Sequence, residues 1–520
     1  MHGEAGQAEV IRLLSDSAAH GGAAVQRIDT HASLVFLAGS RAFKLKRAVK
    51  YDYLDFSTLD LRKRFCETEM RINRRIAPGI YRRVIPVVRT HTGALALDGE
   101  GTPVEWVIEM VRFDPEALFD RMAAAGRLDL NHMAPLAEEI ASFHASCAVR
   151  SDFGGDAAIA RVIDGNAAGF REFGRDTLAP AVCESLTLAS RSALRSCAPL
   201  LESRRMGGYV RECHGDVHLG NIVLWADRPT LFDAIEFNDD IACIDVMYDL
   251  AFLLMDLWHR ALPRHANTVL NSYIAETRDF EGLEALPLFL SCRAAIRAKT
   301  SATAASLQHH QDRQRDMETR ARQYLDLAGR LLQRQAPRLV AIGGLSGSGK
   351  STLARALAPS IGATPGALVV RSDEIRKRLW GAAPLTKLGA AAYTPEMSAR
   401  VYETLAADVT AIARTGHSVI VDAVFARAAD RLAIERAARA AGVGFAAVWL
   451  EAPERLLVER IIGRGPDVSD ADADVVHMQC AQWSGDVRWS RVDAGADADT
   501  VHARARASLQ RQMVALDAAA

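Results

Sequence analysis

Two clusters in this chain have the residue types and spacing of phosphate chemistry. The first is Cys213-His214-Gly215-Asp216-Val217-His218-Leu219-Gly220-Asn221, an aspartate followed five residues later by an asparagine. A carboxylate so placed can take the proton of an acceptor hydroxyl, and the amide oxygen can join a Mg²⁺ shell. Asp233, in Leu231-Phe232-Asp233-Ala234-Ile235-Glu236, closes an apolar stretch where a second carboxylate can bridge metal to phosphate. Single Asp and Asn residues are commonest in turns. The ordered trio behind a His-Gly pair is more specific.

The second cluster is Gly344-Leu345-Ser346-Gly347-Ser348-Gly349-Lys350-Ser351, continued by Thr352, which matches GxxxxGK[ST] throughout. Its glycines let backbone N–H groups turn inward around phosphate oxygens, and the helix that starts there adds positive potential. Lys350 is expected on the outer phosphates and the Ser351 hydroxyl in the Mg²⁺ shell. Downstream, Arg371-Ser372-Asp373-Glu374-Ile375-Arg376 sets Asp373 at the C-terminal edge of a strand, facing the crevice where ligands bind in such sheets. There Asp373 can orient and deprotonate an acceptor, with Arg376 one turn later neutralising phosphate charge. A helix cap is the plain alternative for Asp373. Asp422 ends another strand and can hold Mg²⁺ through water, or serve only as a turn residue. Arg460 and Arg464, four apart before Gly465-Pro466-Asp467, are expected on one helix face, as mobile cations over the phosphates. The plain alternative for these two is a solvated face.

These groups need elements to hold them. From residue 339 onward, short apolar runs at Leu339–Gly343, Ala367–Arg371, Ser418–Asp422 and Phe445–Leu450 alternate with helical patterns such as Val401, Leu405, Val409 and Ile412. Near-continuous apolar strands between helices predict an α/β domain whose parallel sheet is covered by helices. Ahead of it, Leu34–Leu37, the turn Gly39-Ser40 and Ala42–Lys46 read as a hairpin, and helical patterns dominate after about residue 130. This predicts an α+β domain of two lobes, a small β lobe before a large helical one, an arrangement that resembles the protein-kinase-like fold. Ala336-Pro337 marks the seam, so the expected domains are 1–335 and 336–520.

Composition narrows the partners. With a net charge of -1, the chain has no general attraction to nucleic acid or anionic membrane. The eight cysteines form no CxxC pair and no zinc spacing, which suits buried thiols in a reducing compartment. No apolar run approaches the ~20 residues of a membrane span, and no secretory leader is visible. The expected location is cytoplasmic.

The motifs GLSGSGKST, SDEIR, VIVDAVF and ERIIGRGPDVSDA resemble, over roughly residues 338–515, the P-loop kinases that include polynucleotide 5′-kinase, zeta-type toxins, gluconate kinase and chloramphenicol phosphotransferase. The resemblance implies Asp373 as base toward the acceptor and Arg460 and Arg464 in a lid over ATP. HGDxHxxxN with a later aspartate is similar, over roughly residues 25–330, to aminoglycoside phosphotransferase-like kinases, which also include choline and fructosamine kinases. This implies Asp216 as catalytic base, Asn221 and Asp233 as metal ligands, and structural roles for Asp249 and His144. Either Lys44 or Lys46, on one face of the third strand, should contact the α/β-phosphates and pair with a helix-borne acid, Glu69 ahead of Glu67. Glu109-Met110-Val111 would be the hinge that receives adenine. The sequence departs from protein kinases in DAIE where DFG stands, in lacking APE, and in having Thr30-His31-Ala32-Ser33 where a glycine-rich flap would lie.

The expected activity is therefore two ATP- and Mg²⁺-dependent phosphotransfers to hydroxyls of small molecules, sugars or amino sugars among them. Glu276, Asp279, Glu281 and Glu284 can hold an amine-bearing acceptor, or simply form an acidic turn. Two other readings stand beside this one: a catalytic domain regulated by a nucleotide-sensing partner domain, and a toxin-like nucleic-acid or nucleotide kinase.

Overall fold

The computed structural model describes residues 4–51, 53–308, 310–465, 467–483 and 485–519. It divides into two compact units. The first runs to Arg260 and includes Cys292–Ala321; the second is Ala261–Ser291 together with the chain from Arg322 onward. The seam expected at residue 335 does not coincide with this division.

In the first unit, strands β1 (Val25–Asp29), β2 (Ser33–Ala38), β3 (Arg41–Lys46), β4 (Tyr81–Arg89), β5 (Leu95–Leu97) and β6 (Thr102–Val111) form a sheet in the order β1-β2-β3-β6-β4-β5. All its pairings are antiparallel. The predicted hairpin is β2–β3, with Val35 opposite Lys44 and Ser33 opposite Lys46. Alternation sorts β3 cleanly. Phe43 and Leu45 face a core with Val10, Leu14 and Phe36. Ala42 faces the other side, where Cys66 and Met70 of helix α1 (Leu59–Ile76) pack beside Ile108 and Met110. Thr58 caps α1 through a hydrogen bond from the Leu61 N–H.

The rest of this unit is mainly helical. At its centre, helix α2 (Val246–His259) is buried continuously from Val246 to Leu257. The Asp216 loop leaves strand Val210–Glu212 and enters the hairpin Ile222–Trp225/Arg228–Leu231.

The second unit is built on a wholly parallel sheet of β7 (Arg338–Gly344), β8 (Leu368–Arg371), β9 (Val419–Asp422), β10 (Gly444–Glu451) and β11 (Ser490–Asp493), in the order β8-β9-β7-β10-β11. Four of these strands match the expected runs. The fifth, β11, carries a single buried apolar residue, Val492, and so has no apolar signature in sequence. Strand β8 lies at an edge, where unpaired backbone groups invite non-native pairing. Helix α3 (Pro263–Thr277) closes that edge. The Asn271 Oδ1 accepts the Val369 N–H at 2.7 Å, and the Asn267 Nδ2 donates to the carbonyls of Pro365 and Ala367 at 3.1 and 3.0 Å. These side chains are the physical reason why Ala261–Ser291 belongs with the P-loop unit. Among the described residues no helix is long and apolar enough to cross a membrane.

Candidate active sites

In the first unit, Asp216 and Asn221 meet directly. The Asn221 Nδ2 donates to the Asp216 Oδ2 at 2.9 Å and to its backbone carbonyl at 3.0 Å. The loop is tied to the Asp233 segment from both sides. The His214 Nε2 donates to the Phe232 carbonyl at 2.9 Å, and the Phe232 N–H donates to the Asn221 carbonyl at 3.0 Å. Beneath the loop lies buried Asp249, which accepts the His214 and Gly215 N–H groups at 3.1 and 2.9 Å and faces the His144 Nε2 at 3.1 Å. Gly215 has φ +81, and a Cβ there would lie 3.0 Å from the Ile241 carbonyl oxygen, so the turn accepts only glycine. His144, Cys213 and Asp249 cluster closely enough for a metal. However, Asp249 is occupied by these donors, and burial holds the Cys213 thiol well above its ordinary range.

Burial alone would raise the Asp216 pKa; the His218 ring, whose Nε2 lies 3.3 Å from Oδ2, outweighs it and holds the carboxyl below the usual carboxylate range. His218 is raised in turn, because Asp216 outweighs the burial that disfavours its charge. The Asp216 carboxylate is thus favoured in its ionised form, with no Lys or Arg in ion-pair contact among the described residues.

Both β3 lysines reach Glu69. The Lys44 Nζ lies 2.7 Å from Oε1 and 2.5 Å from the Asp233 Oδ1. The Lys46 Nζ lies 2.6 Å from Oε2 and also pairs with Glu236. Burial opposes charge on both lysines, and the carboxylates outweigh it, so both pKa values are raised. Burial also pushes Glu236 up to about 7. The lysines differ in exposure: 12% for the Lys44 side chain and 1% for that of Lys46. Only Lys44 touches Asp233. Met110 lies within β6, opposite Ala42 and Tyr81, with its side chain buried. The Thr30–Ser33 turn, which stands where a glycine-rich flap would lie, spends two of its donors internally. The Ser33 N–H bonds the Thr30 Oγ1, and the Thr30 hydroxyl bonds the Ser33 carbonyl, each at 2.9 Å. Asp279 belongs to the second unit, as do Glu276, Glu281 and Glu284, and it accepts the Gly282 N–H at 3.1 Å.

In the second unit, β7 ends at Gly344 and helix α4 (Lys350–Leu357) starts after Gly349, with Leu345, Ser346, Gly347 and Ser348 between them. Gly347 has φ +82, and a Cβ there would fall 2.4 Å from the Leu457 carbonyl oxygen. The Lys350 Nζ donates to the Leu345 carbonyl at 3.0 Å and has no ion pair among the described residues. Burial lowers its pKa despite the charges of Asp422 and Asp373. The buried Ser348 Oγ has no hydrogen-bond partner among the described residues. A half-buried lysine with no ion pair, in the same loop as an orphan buried hydroxyl, fits a phosphate, which would satisfy both. The Ser351 Oγ donates to the Asp422 Oδ2 at 2.5 Å, which brings together the two side chains expected near Mg²⁺.

Asp373 is the second residue of helix α5 (Ser372–Trp380), does not cap it, and has no hydrogen bond or ion pair among the described residues. Its charge bears on Lys350, Arg371, Tyr393 and Tyr402. Arg376 is buried against the Tyr393 ring, 4.7 Å from its centroid, and donates to the Ala392 carbonyl at 2.6 Å, while its Nε has no partner.

The two downstream arginines do not share a helix face. Helix α6 (Glu454–Ile462) ends before Arg464, because Gly463 and Gly465 release the chain; Pro466 lies outside the described residues. Arg460 donates to the Ala496 carbonyl at 3.3 Å. Arg464 donates to the carbonyls of Ser469 and Ala471 at 2.9 and 3.3 Å, and its charge bears on Lys350.

Sequence reasoning missed three residues. Arg371 contacts both Ser351 and Asp422, and the signal was a charged residue closing an apolar strand. Gln479, on helix α7 (Ala473–Gln482), accepts the Ser346 N–H at 2.9 Å, and no local pattern marks it. Glu236 was visible only as the last letter of DAIE.

Residues 339–484 match the family described as AAA domain. Over 485 residues, covering 92% of this chain and 93% of the relative, the chain is 28% identical to an uncharacterized protein of Mycobacterium tuberculosis. Among solved structures, a gluconokinase from Sinorhizobium meliloti is 24% identical, covering 35% of this chain and 97% of its own, with a TM-score of 0.25. A choline/ethanolamine kinase family protein from Mesorhizobium loti is 15% identical, covering 63% and 98%, with a TM-score of 0.39. The family match falls on the unit whose parallel sheet carries the P-loop.

Proposed function

We propose that the chain is an ATP-dependent phosphotransferase with two separate sites, each acting on a hydroxyl of a small molecule, sugars and amino sugars being the favoured class. The observation that carries this reading is a repeated one. In each unit an acid without a Lys or Arg ion-pair partner, Asp216 or Asp373, accompanies a lysine and a pair of groups suited to Mg²⁺. In the first unit Lys44 grips the α/β-phosphates, Asn221 and Asp233 hold the metal, and Asp216 takes the acceptor proton. Lys46 is a structural partner of Glu69 and Glu236. In the second unit the Gly344–Thr352 cradle and Lys350 hold the phosphates, Ser351 and Asp422 hold the metal, and Asp373 is the base. Arg376 and Arg464 neutralise phosphate charge, and Arg460 positions the segment that carries Arg464. Bound Mg²⁺-ATP supplies the phosphoryl group and spreads its negative charge.

The test is transfer from γ-labelled ATP to a fractionated metabolite pool. Asp216→Asn should lower one labelled product by at least ~10²-fold. Lys350→Ala should lower a different product by a similar factor. Loss of the same product in both variants, or unchanged labelling in the double variant, rejects two active sites.

A further inference from the structure

Arg371 ends β8 at 3% exposure, with its guanidinium spread over four partners. Its Nε donates to the Asp422 Oδ2 at 3.2 Å, and its Nη2 to the Ser351 Oγ at 3.1 Å. The same Nη2 reaches the Asp467 Oδ1 at 3.1 Å, and the Nη1 reaches the Glu374 Oε1 at 3.3 Å. Two contacts therefore lie on the hydroxyl–carboxylate pair assigned to the metal, and two lie off it.

A divalent cation at the pair competes with the guanidinium. A Ser351 oxygen that accepts from a guanidinium has one fewer lone pair to offer a metal, and a dication placed beside the guanidinium is repelled. The off-site carboxylates give the guanidinium somewhere to go without crossing into an apolar region.

We propose that Arg371 is a positioning residue that stands in for the divalent cation at Ser351 and Asp422 before nucleotide arrives. When the cation is coordinated, the guanidinium gives up Ser351 and rests on Asp467 and Glu374. This rests on the reading of Ser351 and Asp422 as the metal pair.

The experiment titrates Mn²⁺ into the full chain without nucleotide, following free Mn²⁺ by electron paramagnetic resonance. Arg371→Gln is expected to bind Mn²⁺ about tenfold more tightly than the wild type, since a neighbouring positive charge is gone. Ser351→Ala is expected to bind more weakly. Equal or weaker affinity in Arg371→Gln overturns the proposal while leaving the metal pair intact. Unchanged affinity in Ser351→Ala overturns the metal pair itself. Should Arg371→Gln fail to fold, a crystal structure of the wild type with Mg²⁺ and a non-hydrolysable ATP analogue decides the matter. The Nη2 should then lie beyond about 3.5 Å from the Ser351 Oγ and remain on Asp467. Retention of all four contacts around a bound cation overturns the proposal.

Discussion

In the second unit, the atoms suited to phosphate come from one unbroken stretch, Gly344 to Thr352, and many are backbone N–H groups whose direction follows from φ/ψ at its glycines. In the first unit, the corresponding atoms are side chains drawn from β3, α1, the Asp216 loop and the segment after Leu231. The contacts that join them span 189 residues from Lys44 to Asp233 and 190 from Lys46 to Glu236. A cradle of the first kind is assembled by local turn geometry. A site of the second kind exists only once the whole unit has folded, and part of its charge network serves the folding.

Lys44 and Lys46 test that difference most severely. Lys46→Met would leave Glu69 and Glu236 buried without their shared cation, and breaking such an ion pair costs about 3–5 kcal/mol. Urea unfolding should show the first transition moving to lower denaturant and the second unit's transition holding. Lys44→Met should do the reverse, with a small stability change but at least ~10²-fold less first-site product. Equal stability losses in the two variants would erase the distinction drawn between them.

A smaller effect is expected at the β8 edge. Asn271→Ala removes the acceptor of the Val369 N–H, costing about 1–2 kcal/mol through the unsatisfied backbone group. The loss should appear in the second unit alone by hydrogen exchange; protection lost in β2 or β3 instead would argue against the assignment of α3.

The mildest expectation concerns pH. Asp216 is depressed in the folded state, so its ionised form adds stability above the ordinary carboxylate pKa of 3.8, lost as pH falls below that value. His218→Gln removes the opposing charge, so the acid limb of first-site kcat/KM should move to higher pH. A limb that stays in place would show that the imidazole has no bearing on the base.

What the sequence revealed follows the same divide. The P-loop, four strands of its sheet and the Asp216–Asn221–Asp233 order were legible because each is a local pattern. The lysine that touches Asp233 was not, since Lys44 and Lys46 alternate onto one face and only distant Glu236 separates their roles. Arg464 was misplaced because a four-residue interval says nothing about glycines ending the helix between. The place of helix α3 in the second unit was not legible, because two asparagines on a helix carry no sign of the strand edge they bond.

Synthesis on the ribosome gives that helix a further consequence. Asn267 emerges 100 residues ahead of Ala367, and Asn271 emerges 98 ahead of Val369. The P-loop unit thus has one of its braces made long before the sheet that needs it. A nascent chain halted between them holds α3 with its eventual strand still unmade, and a gene fragment opening at residue 336 encodes the strand without the brace.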